Sequence, residues 1–370
     1  MCLKKPSGGE GGFLDMVRTA VLSARLHAPS LAPYVLYMLE KHDKFDHNDT
    51  LVRWLTARGA RVVPRALSFW SSMEGSQRPA IMLRRTGLCK MDIPHVASSL
   101  AGELRGRGLR SDTILVTDAD VLFSREVAVP QFERSAHPLG IAASIEVFHG
   151  GCNLNSGVLF VNVSAFLSHW PQMLTLAKAK RFRYPVADQS WLHDYACGGG
   201  GGCRWQRAAP GVPGYCRGPS ASGRGSLGFH LIDPQNYGAR AFMHPPLPCE
   251  LVSDDPKDCA RRRPPPSFAP SIWHWAGYKP NDVQCWLRAM RSGKWPERAW
   301  RNAAPPHAAL PQQSSCTRRQ CHWKPILGTP CRFYAALAPL IKRNPCYLRT
   351  YVHLLAEHKR LLHMARGLAS

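Results

Sequence analysis

The sequence has no uninterrupted run of about 18 apolar residues, so no stretch of it reads as a membrane-spanning helix. No apolar segment follows the opening MCLKKPSGGEGG, so these residues do not read as a secretory leader. Of the 13 cysteines none sits in a CxxC pair, and the group Cys316, Cys321, His322 matches no common zinc spacing. Acidic residues are scarce: 25 Asp+Glu against 48 Lys+Arg give a formal charge of +23. Such a balance attracts anions. The excess is scattered in short clusters such as Arg261-Arg262-Arg263, with no RNA-recognition signature and no long basic helix stripe, so no nucleic-acid partner is expected. Internal repeats are absent too.

The chain has 370 residues, 45% of them hydrophobic, which is enough for one large elaborated domain or two with a proper core. Ten cysteines fall between Cys197 and Cys346, in a loop-rich region. Their density favours disulfides and an oxidising compartment over buried free thiols, and the odd total leaves at least one unpaired. Two sequons agree with that compartment. Asn48-Asp49-Thr50 lies in a polar stretch and can accept a glycan, whereas Asn162-Val163-Ser164 follows an apolar strand and is expected to be too buried. For a lumenal protein, the targeting segment would lie outside this chain.

Periodicity gives alternating elements. Asp15 is placed to cap a helix over about Met16–His27, with Val17, Ala20, Val21 and Ala24 at helical spacing. Tyr34–Met38 reads as a strand, Asp49 or Thr50 as the cap of a helix reaching Ala57, and Arg61-Val62-Val63 as the next strand. A helix over Met91–Leu104 precedes a strand at Thr113–Thr117. Strands at Leu139–Ser144 and Val158–Val161, a helix at Ala165–Ala179 and a basic amphipathic helix at Tyr347–Ala365 follow. The last is expected to pack on the core. The Gly-rich segment Cys197–Gly228 reads as a long loop pinned by cysteines, and ARRRPPPS within Cys259–Pro270 as a connector. This order predicts an α/β fold with a mixed, mainly parallel sheet flanked by helices, which binds ligands beyond the carboxyl ends of its strands.

Asp118 and Asp120 stand at such an end, in TDADVLF. In strand geometry residues i and i+2 share a side. Two like charges so placed raise one pKa unless a cation sits between them. Hard divalent metals take carboxylate oxygens and leave positions for phosphates, so the pair reads either as a turn or as a metal–phosphate site. Three more groups fit the second reading. Asn155 in NSGVLFVN can aim an amide into the cleft, or merely turn the chain. Asp188-Gln189 can cap a helix, or present polar groups to a sugar. In HWAGYKP, His274 can be a third ligand suited to Mn2+, Gly277 lets backbone approach a phosphate, and Lys279 can neutralise one.

Taken in order, GLCKMDIP, TDADVLF, NSGVLFVNV, ADQSWL and HWAGYKP resemble the motifs of GT-A-fold nucleotide-sugar glycosyltransferases, and most closely glycosyltransferase family 8 with its algal and plant relatives. The resemblance runs over roughly Asp15–Trp286. It implies a GT-A domain over residues 1–300 with an insertion at about 197–228, then a cysteine-containing loop and a helical extension over 301–370. It implies Mn2+ (or Mg2+) on Asp118, Asp120 and His274, and a nucleotide-sugar donor, a UDP-sugar, held by Lys90, Asp118, Asp120, Asn155, Gly277 and Lys279. Asp188 and Gln189 would be catalytic-site residues facing the donor sugar. Two positions depart from the pattern: Ser190 where many relatives have Asp, and Asn281 where Trp is usual. The implied activity is sugar transfer to a glycan or protein acceptor, with retention, in the Golgi or secretory lumen. The rivals are a haloacid-dehalogenase-like phosphohydrolase, whose nucleophile motif also has the form of Asp118-Ala119-Asp120-Val121, and an inactive lumenal carbohydrate-binding protein.

Overall fold

Apolar side chains alternate between two faces along the strand Asn153–Asn162, and each face meets a different core. In the computed structural model, Val158 and Phe160 join one cluster, while Leu159 and Val161 join the other. A strand buried on both faces needs cover on both. The structure describes residues 1–4, 11–39, 44–73, 87–109, 112–129, 139–146, 153–198, 203–206, 215–217, 227–232, 239–240, 271–275 and 345–367. Gly277, Lys279, Asn281 and the connector Cys259–Pro270 lie outside these residues.

The strands are β1 (Cys2–Lys4), β2 (Tyr34–Met38), β3 (Arg61–Arg65), β4 (Thr113–Thr117), β5 (Val121–Phe123), β6 (Ile141–Glu146), β7 (Asn153–Asn162), β8 (Arg204–Gln206), β9 (Tyr215–Arg217), β10 (Gly228–Leu231), β11 (Ala239–Arg240) and β12 (Ile272–His274). The helices are α1 (Gly11–His27), α2 (Thr50–Ala57), α3 (Trp70–Met73), α4 (Ile93–Ser99), α5 (Ala101–Gly106), α6 (Val163–Ala179), α7 (Ala187–Cys197) and α8 (Pro345–Gly367), with a 3-10 turn at Cys89–Asp92. By chain contacts they fall into two units: Met1–Ala239 with Pro248–His274 and Ala369, and Arg240–Leu247 with Trp275–Leu368 and Ser370. In the second unit, Leu361 and Ala365 lie about one turn apart on α8 and are both buried. No helix among the described residues is long and apolar enough to cross a membrane.

The first unit is α/β with mixed strand pairing. β1, β2 and β3 are parallel neighbours. A six-stranded sheet runs β4-β7-β6-β10-β9-β8. There β6 and β10 are parallel, while β7 is antiparallel to both β4 and β6. A mixed sheet was expected, and short connections account for its antiparallel share. Six residues separate β6 from β7, whereas a parallel crossover needs about a dozen or more. The Gly-rich insertion is likewise more than a loop. Cys197 and Cys203 are disulfide-bonded, and β8 and β9 extend the sheet antiparallel from β10.

One face carries α1, whose Ala20 and Ala24, with Ala28 just past the helix end, join Val121, Phe123, Ala142 and Ile272. Ser23 fixes this contact, its hydroxyl accepting a bond from the Phe123 amide at 3.1 Å. On the other face Val96, Phe166, Met173, Trp191 and Leu192 from α4, α6 and α7 meet Val116, Ile141, Ala143, Leu159 and Val161. Burial of this cluster is the main local source of stability, since each fully buried large apolar side chain contributes about 1.5–3 kcal/mol before conformational entropy is set against it.

Local chemistry sets several boundaries. Asp49 caps α2, its carboxylate accepting from Leu51 and Val52 amides, and Gly59 at φ +74° follows the helix end. Asp15 does not cap α1. It lies inside the helix, with its carbonyl accepting from the Thr19 hydroxyl and its carboxylate 3.7 Å from Arg18. The helix expected over Met91–Leu104 is divided into the 3-10 turn, α4 and α5, breaking at Leu100.

One pairing was invisible to the sequence reading: Cys2 and Cys89 are disulfide-bonded across 87 positions. The bridge ties β1 to the turn that carries Lys90. Closing so long a loop restricts the unfolded chain, and such bridges typically contribute about 2–4 kcal/mol. A Cys89→Ser variant is therefore expected to unfold at lower denaturant, and dithiothreitol to lower the wild-type midpoint but leave the Cys2–Cys89 contribution absent in the variant. Chemical denaturation with and without reductant reads this directly.

Candidate metal and donor site

β4 ends at Thr117, and the next three residues turn the chain into β5. The turn is fixed by β7: the Asp118 amide donates to the Gly157 carbonyl at 2.9 Å. β5 pairs antiparallel with β12, which sets His274 opposite Val121. Two strands thus bring Asp118, Asp120 and His274 together although His274 lies more than 150 positions downstream. One donor atom from each of the three lies within 4.8 Å of the others. His274 Nε2 is 3.5 Å from both Asp118 Oδ2 and Asp120 Oδ1. Those distances exceed the ~2.7–2.9 Å of a charge-assisted hydrogen bond. The donor atoms converge without closing on one another, and two carboxylates with an imidazole are a fitting set for Mn2+.

Gly157 makes the approach possible. A β-carbon built there overlaps the His274 ring at Cε1, Nδ1 and Nε2. The ring is 3% exposed, and its Nδ1 is buried with no hydrogen-bond partner among the described residues.

Lys90 forms the second half of the site. Its ammonium lies 2.8 Å from Asp118 Oδ1 and 3.1 Å from Asp188 Oδ2. It also donates to the Ser156 carbonyl at 2.9 Å and hydroxyl at 3.2 Å. The buried Lys90 and Asp188 sit on elements that meet where Gly87 faces the Ala187 side chain too closely for any β-carbon. Ala187 itself adopts φ +43°, a strained value for a residue with a side chain, immediately before Asp188. Gln189, next along α7, accepts from the Asn155 amide at 3.2 Å and the Ser156 backbone at 3.4 Å, and Asn155 accepts from the Gly157 amide at 3.0 Å. Ser190 faces away from this network, its hydroxyl accepting from the Val186 amide at the start of α7.

Charge is arranged as the burial demands. Desolvation opposes ionisation of Asp118, but Lys90 and then His274 outweigh it and hold the carboxyl well below its ordinary range. Burial also works against the Lys90 charge, and Asp118 and Asp188 more than restore it, so its pKa is raised. Asp188 goes up instead: burial wins over its single cation. His274 is raised, Asp120 and Asp118 overcoming desolvation.

A raised histidine pKa gives a signed prediction. A metal ligand must be deprotonated, so a metal held by His274 would compete with its proton. Mn2+ affinity is expected to climb with pH from below 6.5 through the raised value, by up to about tenfold per unit for the one proton displaced, and then to level off. In metal-free protein the stability that protonated His274 supplies is complete below 6.5 and lost as pH rises through that folded value. Calorimetric titration of Mn2+ across pH, with thermal unfolding alongside, measures both.

Of the residues that the sequence singled out, Lys90, Asp118, Asp120, Asn155, Asp188, Gln189 and His274 are linked through these contacts. Gly277 and Lys279 fall outside the described residues. Ser156 and Gly157 were quoted in a motif but given no role. The signal was the motif itself, since both adjoin Asn155.

No protein-family model matches the chain, and no curated protein matches it in sequence. Its fold is similar to solved glycosyltransferases. The galactosyltransferase LgtC, in complex with donor and acceptor sugar analogues, is 15% identical over 82% of this chain and 98% of its own, at a TM-score of 0.43. Apo GlyE of Streptococcus pneumoniae is 17% identical over 52% of this chain and 41% of its own, at 0.33. Mouse xyloside xylosyltransferase 1, also apo, is 12% identical over 75% of this chain and 96% of its own, at 0.36.

Proposed function

We propose that this protein is a metal-dependent glycosyltransferase that moves a sugar, with retention, from a UDP-sugar to a hydroxyl of a glycan or protein acceptor. The observation that carries the reading is the convergence of Asp118, Asp120 and His274 beside the buried Lys90–Asp188 pair. Asp118, Asp120 and His274 would hold Mn2+ or Mg2+, which when bound supplies Lewis-acid stabilisation to the departing diphosphate. The protein's own groups do the rest. Lys90 fixes the Asp118 carboxylate in one orientation and keeps it ionised, so the ligand set is preorganised. Asn155 and Gln189, held to each other, present amide groups for sugar hydroxyls. Asp188 stands beside them with its pKa raised, able to orient the sugar as donor or acceptor of a hydrogen bond. Gly277 and Lys279 would complete the diphosphate contacts. The Cys2–Cys89 and Cys197–Cys203 disulfides fit a lumenal setting, for which the Golgi is the proposed place.

The surroundings of Asp118 argue against the phosphohydrolase alternative. That reading gives no task to Asn155, Asp188 and Gln189, which the fold links to the carboxylate through Lys90 and Ser156. Calorimetric titration of UDP with and without Mn2+ tests the proposal. Binding that requires the metal, followed by Mn2+-dependent hydrolysis of one member of a UDP-sugar panel, is the expected result. Metal-dependent UDP binding with no turnover of any sugar nucleotide would favour the inactive carbohydrate-binding reading. Phosphomonoester hydrolysis without UDP binding would replace the transferase with a phosphatase.

A further inference from the structure

The two sequons fold differently, and the structure separates them. Asn48 lies in a turn ahead of α2 and is exposed, as is Thr50. The turn is held by its backbone: the Asn48 amide donates to the Asp46 carboxylate at 2.8 Å and the Asp49 amide to the Asp46 carbonyl at 3.3 Å. Asp49, between the two, is drawn inward. Its carboxylate accepts from Leu51 and Val52 amides at 2.8 and 3.1 Å, and so is held at the helix end. The apolar side of α2 is buried through Leu51, Val52, Trp54 and Leu55, so the helix shields its core without covering Asn48. The Asn48 carboxamide makes no hydrogen bond among the described residues.

Asn162 is the opposite case. It closes β7 and caps α6, its Oδ1 accepting from the Ala165 amide at 3.0 Å and the Ser164 hydroxyl at 2.9 Å. Its own amide donates to the Gly140 carbonyl at 2.8 Å. The serine hydroxyl of this sequon is thus occupied by the asparagine itself, and the side chain is only partly exposed.

We propose that Asn48 is an N-glycosylation site and that Asn162 is not. The reagent class is a polyprenyl-diphosphate oligosaccharide acted on by a lumenal oligosaccharyltransferase. The Asn48 Nδ2 bonds to the anomeric carbon, one amide proton leaves to a base, the bond from that carbon to the phosphate oxygen breaks, and the polyprenyl diphosphate departs. An independent feature supports the compartment: Cys2–Cys89 and Cys197–Cys203 are disulfides, which form and persist where this modification takes place. The glycan at Asn48 stands on the solvent side of α2.

The test expresses the full chain behind a cleavable leader in a eukaryotic secretory host and recovers it from both medium and cell lysate. The expected wild type migrates slowly, collapses on peptide-N-glycosidase treatment, and yields a peptide in which Asn48 has been converted to aspartate. Asn48→Gln and Thr50→Ala are expected to run at the deglycosylated position with the Cys2–Cys89 disulfide intact by peptide mapping, and Asn162→Gln to run as wild type. An unmodified wild-type intact mass would overturn the proposal, as would a shift that survives Asn48→Gln.

Discussion

Gly157→Ala is expected to weaken Mn2+ binding by more than about 100-fold, the upper end of what loss of an outer-shell partner costs a metal site, because on the proposed reading it displaces a ligand rather than a partner of one. The added methyl falls on the His274 ring, and neither side can retreat freely. The Gly157 backbone is held by its carbonyl bond to the Asp118 amide, and its strand is buried on both faces. His274 is fixed by β12 pairing to β5. The ring must leave its place between Asp118 and Asp120. Overpacking of this kind typically destabilises by about 1–3 kcal/mol as well. A double-mutant cycle isolates the cause. His274→Ala removes the obstruction, so Gly157→Ala/His274→Ala should recover much of the stability lost in Gly157→Ala while metal binding stays weak. A Gly157→Ala protein with wild-type Mn2+ affinity would mean that His274 is not a ligand.

The same glycine shows where sequence reading stops. In NSGVLFVN, Asn and Gly are local turn formers, and a turn was one expectation. The structure keeps them within β7, from Asn153, but its pairing with β6 skips Ser156, Gly157 and Val158, between Ser144 opposite Asn155 and Ala143 opposite Leu159. The glycine answers to a ring more than 110 positions away, and no local pattern carries that demand. Where a demand is local, the sequence states it. Tyr34–Met38 and Thr113–Thr117 are strands with the expected ends because apolar runs bounded by turn residues fix them, and Asp49 caps its helix through bonds to its near neighbours. The carboxylate pair was legible for a similar reason: two acids closing a buried strand conflict with burial unless something compensates. What compensates was less legible. Lys90 was read as a donor contact, and its pairing with both Asp118 and Asp188 depends on three separate elements meeting. Cys2–Cys89 depends on β1 meeting the Lys90 turn, and spacing cannot supply that. The fold class was therefore readable, as were the residue types that meet at the site, while the contacts that aim them were not.

Replacing Lys90 with methionine should cost about 3–5 kcal/mol, since removing one partner of a buried ion pair leaves an uncompensated charge. Most of that cost falls on Asp188, 7% exposed, because Asp118, at 37%, retains water and His274 and is screened accordingly. The pH dependence distinguishes lost charge pairing from lost packing. The Asp118 pKa is held low in the folded wild type, so its contribution is present above the ordinary carboxylate value and lost as pH falls through the folded one. The difference between wild type and Lys90→Met should thus be largest at neutral pH and above, and shrink in two stages as pH falls: first above the ordinary carboxylate range, where Asp188, raised even beside Lys90, protonates in the variant, then below about 4, where Asp118 does. A packing defect would leave the difference constant. Adding Asp188→Leu to Lys90→Met removes the stranded carboxylate, and buried ionic groups replaced together by apolar ones are often neutral in stability. The double variant should therefore fold more stably than Lys90→Met alone. Its Asp118 carboxylate, no longer held by the ammonium, is free to turn, and Mn2+-dependent UDP binding should stay weak. Recovery of stability without recovery of binding would assign Lys90 a task in positioning the metal ligands beyond holding the fold together. Recovery of both would reduce it to a structural cation.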